Sequence, residues 1–153
     1  IHKPSNFAKL IVLITAEAAM IDYSKYHDLS DLILRVDLSL IFIIGGAGHL
    51  VREKMMLQRI EASPWFDWVN ALGSPLFFLQ LSGIVFILAG FGLLLGLRTR
   101  LSALALFVTL VPITFVIHIA PEHTGPLFKN IAILGALLHF FVRGGGGFSV
   151  DRR

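Results

Sequence analysis

The chain contains no cysteine. That absence excludes thiol catalysis, a disulfide framework, thiolate metal sites and iron–sulfur clusters held by cysteine. Charge is scarce as well: Asp, Glu, Lys and Arg make up 15% of the 153 residues, hydrophobic residues make up 56%, and mean hydropathy is +0.79. A water-soluble helix needs a charged face along its length, and this composition has too few charges to supply one. Net charge is +3 and the pI is near 9.6, yet Lys and Arg stand at the ends of apolar segments instead of along one face. That is the distribution of membrane topology signals, not of a nucleic-acid surface.

What the chain does have is long uncharged runs. Residues 76–97 and 101–119 carry no charge, and 127–142 carries only Lys129 near its start. At 1.5 Å per helical residue these runs reach about 24 to 33 Å, the thickness of a bilayer's hydrocarbon core. A fourth run, 33–51, opens after Ser30 and Asp31 as candidate N-caps and closes at Arg52-Glu53-Lys54. It holds Arg35 and Asp37 near its start, where snorkelling lowers the cost well below the ~2.5–3.5 kcal/mol of a charge at mid-bilayer. These runs predict an all-α polytopic membrane protein, an antiparallel four-helix transmembrane bundle in one domain over 32–153.

Residues 1–31 form a separate membrane-associated segment. Its apolar part, 7–21, is interrupted by Lys9 and Glu17 and is short for a span. An interfacial helix is the preferred reading, with a fifth span or a signal-peptide remnant as alternatives. The connection 52–75 carries Trp65, Phe66, Asp67 and Trp68, an aromatic cluster expected at headgroup level on a short helix. Arg98-Thr99-Arg100 predicts a tight basic hairpin, Pro112 a kink, and Gly92 with Gly96 a GxxxG pair. Arg35, Arg98, Arg100, Arg143, Arg152 and Arg153 fall on one side of this topology, against Arg52, Lys54, Arg59 and Lys129 on the other. The C-terminus is therefore expected in the cytoplasm.

Counting depth from the span ends places the polar residues in two layers. At the outer level His49, Gln80, His118 and Asn130 contribute one group from each helix, with Glu122 and His123 in the loop above. Imidazole can ligate a metal or haem or hydrogen-bond a quinone carbonyl, the amides can orient a head group, and the spacing does not choose among these, so these four are the candidate cofactor-binding residues, with quinone as one candidate cofactor. Mutual satisfaction of polar groups at a helix-end layer is the plainer alternative. At the inner level His139 shares a helical face with Ala132, Gly135 and Ala136 and is expected to point inward and meet Asp37, with Arg35 nearby. No metal site and no catalytic set stands out.

The run from Gly90-Phe91-Gly92 to Arg98-Thr99-Arg100, then Leu127-Phe128-Lys129-Asn130-Ile131, and the Gly-rich exit to Phe148-Ser149-Val150-Asp151 resemble the DoxX family of small bacterial membrane proteins. Arg35, Ile41-Phe42, Gly45 and Gly48-His49-Leu50 fit the same pattern, so the resemblance covers 32–151. It implies a four-helix protein of the bacterial inner membrane that works as a partner of other proteins. One branch is named for a subunit of thiosulfate:quinone oxidoreductase, and other members are linked to oxidative-stress complexes. The expected function is thus an accessory subunit packing against other membrane subunits of a redox or energy-converting complex, with quinone handling as the alternative. The expected partners are the lipid bilayer and those subunits, and no nucleic acid.

Overall fold

The computed structural model describes residues 7, 11, 23–119 and 124–151. The interfacial helix or fifth span expected over 7–21 lies outside the described residues except at Phe7 and Ile11, and so do Glu122, His123, Arg152 and Arg153. Among the described residues six helices and no strand are present. They are α1 (Ser24–Val51), α2 (Glu53–Glu61), α3 (Phe66–Leu72), α4 (Pro75–Leu95), α5 (Thr99–His118) and α6 (Thr124–Arg143).

Three of them, α4, α5 and α6, are long and apolar enough to cross a membrane. The first expected span is the second half of α1, which begins at Ser24 rather than at the expected caps. Ser30 and Asp31 therefore lie inside the helix: the Ser30 hydroxyl donates to the His27 carbonyl, and Asp31 is buried against α6. With 28 residues α1 is about 42 Å long, more than a hydrocarbon core.

The connection expected to hold one short helix holds two. α2 ends at Glu61, Pro64 lies in the break, and α3 starts at Phe66. Ser63 Oγ donates to the Val116 carbonyl, and the Trp65 ring lies 4.5 Å from that of Phe115, so this connection is tied to the end of α5. Trp68 and Leu72 stay exposed, as an apolar ridge at headgroup level would.

α4 starts at an N-cap serine, Ser74, whose Oγ accepts from the Phe77 N–H, with Pro75 at the first helical position. It stops at Gly96, in the left-handed conformation with φ +66°, where the Leu97 N–H returns to the Gly92 carbonyl. The expected GxxxG pair therefore divides. Gly96 is a turn residue, and Gly92 faces α5, where a Cβ would collide with the Ser102 hydroxyl.

One core cluster draws on all four long helices: Leu38 and Phe42 from α1, Phe86 and Leu93 from α4, Leu106 from α5, and Leu137 and Phe140 from α6. The Phe42 and Phe86 rings meet edge to face at 4.9 Å. α1 packs chiefly on α4, α4 also on α5, and α5 on α6. α1 and α6 meet far less, and two bonds from Asp31 join them.

Candidate functional site

The polar chemistry of the described chain is densest at one end, where the start of α1, the end of α4, the start of α5 and the end of α6 meet the C-terminal tail. A helix end leaves backbone groups without partners, and four ends together leave many. The tail satisfies them. Val150 N–H donates to the Leu95 carbonyl and Asp151 N–H to the Gly96 carbonyl, closing α4. The Asp151 carboxylate then accepts from the N–H groups of Arg98 (2.8 Å) and Thr99 (2.6 Å), capping α5. A negative side chain at a helix N-terminus also complements the helix dipole.

The tail is held from the other side by Arg35. This arginine is 1% exposed, and its two terminal nitrogens donate to the carbonyls of Gly145 and Phe148, each at 2.8 Å. Side chains are excluded from its path: a Cβ at Gly96 would collide with the guanidinium and with Ser149, and one at Gly145 would lie 3.0 Å from Arg35 Nη1. Four consecutive glycines, 144–147, thus let backbone pass close to a buried cation.

One turn before Arg35, Asp31 accepts from Arg143 Nε (2.9 Å) and pairs with His139 Nε2 (3.1 Å). The expected Asp37–His139 contact is not formed. Asp37 is exposed, because residues 31 and 35 are one turn apart on one face whereas 37 lies about 200° round from 35. The inward face expected around His139 is corrected in part: Ala136 packs against the core, but Ala132 and Gly135 are exposed, nothing lies within 4 Å of a Cβ at Gly135, and the His139 side chain is 41% exposed. Ile133, Leu137 and Phe140 form the buried face instead.

At the opposite end the four candidate residues have separate neighbourhoods. His49 Nδ1 lies 2.8 Å from Ser82 Oγ, with its ring 5.4 Å from that of Phe86. Gln80 is exposed and donates to Glu53 at the start of α2. Asn130 is buried and donates to Thr114 Oγ1 at 2.9 Å, joining α6 to α5. His118 is half-buried at the close of α5. None of the partners of His49, Gln80 and Asn130 is another of the four.

Sequence reasoning missed the tail site. The available signal was four glycines running into Phe-Ser-Val-Asp after a helix that ends in arginine, a poor flexible exit but a good backbone strap.

The family model described as DoxX matches residues 30–119. The chain is also 30% identical, over 131 residues, to "Inner membrane protein YqjF" of Escherichia coli (strain K12), an alignment covering 84% of this chain and 94% of that protein. No solved structure matches the chain.

Proposed function

This chain belongs to the DoxX family, and on that premise we propose that it is a four-span subunit of the bacterial inner membrane that packs against other membrane subunits of a redox or energy-converting complex. α1, α4, α5 and α6 are the spans, and the tail end lies on the cytoplasmic side, where Arg98, Arg100 and Arg143 satisfy the positive-inside rule. The single observation that carries the reading is the outward face of α6. Ala132 and Gly135 stand exposed between Phe128, Ile131 and Leu138, with open space over Gly135. Small residues on a lipid-facing surface let a second helix approach closely, which is the main attraction between helices in a membrane.

Gly135→Leu tests it. The added side chain meets nothing in the chain itself, so thermal stability should hold while the amount recovered in a native-size complex falls about tenfold or more, the effect of ~1–3 kcal/mol of overpacking at the contact. A wild-type chain that extracts in mild detergent as a lone monomer, or a variant that keeps its complex, counts against the subunit reading.

A second reading keeps quinone at the outer layer of His49, Gln80, His118 and Asn130. One observation favours it: His49 is half-buried beside Phe86 and uses Nδ1 on Ser82, while its Nε2 has no partner among the described residues and is available to a carbonyl. His49→Ala should then lower co-purifying quinone roughly tenfold, the loss of one buried hydrogen bond. Unchanged quinone content and quinone-coupled turnover would remove this reading.

A further inference from the structure

Beside the anchored tail is a cleft of about 650 Å³ between the 98–100 turn and residues 143–146. Its walls carry Arg98, Arg100 and Arg143, against the one acid Asp151. That acid is engaged in capping α5. Among the described residues the guanidinium of neither Arg98 nor Arg100 has an acidic partner, and Arg143 engages Asp31 through Nε alone. Three guanidinium groups therefore border one concavity, while the two acids behind its glycine wall are already engaged, Asp31 by Arg143 and His139 and Asp28 by the Gly147 N–H.

A second, independent feature points the same way. The Thr99 hydroxyl belongs to a residue 1% exposed, has no hydrogen-bond partner among the described residues, and lies 2.6 Å from where a Cβ on Gly145 would sit, so it lies directly behind the glycine wall of the cleft. Buried hydroxyls are almost always satisfied, so an orphan donor next to a basic cleft marks a place for an acceptor. The Arg100 guanidinium lies near Gly144, across the opening from its own helix.

We propose that this cleft binds the phosphate of an anionic phospholipid from the adjacent leaflet. Arginine forks match phosphate oxygens in pairs, and planar guanidinium groups at a membrane surface hold anionic headgroups. The phosphate comes from lipid because the rim is apolar: Leu101 lines the cleft, and Leu97, Phe148 and Val150 are exposed beside it, a surface suited to acyl chain and unsuited to a freely soluble ion. The site is independent of the outward face of α6 and of any partner bound there.

The test uses the full chain in nanodiscs and in detergent, with retained lipid read by native mass spectrometry. Phosphatidylglycerol should be retained about tenfold over phosphatidylcholine. In the variant Arg98→Asn/Arg100→Gln, in which asparagine suits the left-handed backbone at position 98 (φ 45°), phosphatidylglycerol binding should weaken about thirtyfold. Arg100→Gln alone should cost about fivefold and leaves every backbone bond of the turn in place. Equal retention of the two lipids, or variants that hold phosphatidylglycerol like wild type, overturns the proposal. Displacement of the lipid by inorganic phosphate at comparable concentration also overturns it, since the free ion would then be the ligand.

Discussion

Replacing Arg35 by methionine is expected to destabilise the chain by roughly 2–5 kcal/mol, because two partly or wholly buried carbonyls lose their donors while the stem is kept. The guanidinium joins α1 to Gly145 and Phe148, residues 110 and 113 positions further along the chain. With the donors gone, the tail keeps its bonds to Leu95, Gly96, Arg98, Thr99 and Asp28. Arg35→Lys should recover about half of the loss, since an ammonium can reach one carbonyl well but lacks the fork that spans both. Denaturant titration in detergent micelles gives the stability. Limited proteolysis gives a second readout, because cleavage near 144–148 should become fast in the methionine variant. A methionine variant as stable and as resistant as wild type would show that the tail is held without the Arg35 contacts.

This contact also marks the limit of what the sequence could disclose. The helices α4, α5 and α6 were legible because such apolar runs have no soluble alternative, and Arg98-Thr99-Arg100 and Arg143 marked where spans end, whereas the Ser74 cap and the left-handed stop at Gly96 were not read from the sequence. Depth along each axis followed from counting. Rotation about the axis did not. In a membrane both the lipid-facing and the buried side of a helix are apolar, so the periodicity that would orient a soluble helix is absent. Leu79 and Phe86 are buried while Phe77 and Leu88 on the same helix are exposed, and residue type does not separate them. The same blindness set Asp37 against His139 when Asp31 holds that place, and it could not give the separate hydrogen-bond neighbours that His49, Gln80 and Asn130 have within their layer. Arg35 was read as a snorkelling charge near a span end. Its burial depends on a glycine strap more than a hundred residues away, which no local pattern encodes.

Gly46→Leu should be at least as damaging as the loss of Arg35's donors, and its neighbour provides the control. A Cβ on Gly46 would lie 2.7 Å from the Gly83 carbonyl oxygen and 2.9 Å from Phe86 Cβ, so even one added carbon must move α1 away from α4. Leucine there would part the two helices along their main contact and separate Phe42 from Phe86 at the centre of the core. The expected cost is about 3 kcal/mol or more, at or above the upper end for overpacking, because backbone rather than a flexible side chain is the obstacle. Gly45→Ala, one residue earlier, meets nothing within 4 Å and should be neutral or slightly stabilising, since alanine gains up to about 1 kcal/mol over glycine in a helix interior. Unfolding both variants in the same detergent separates the cases. Equal effects at 45 and 46 would mean that helix propensity, not the approach of α1 to α4, sets the response, and the glycines of α1 would then have no packing role.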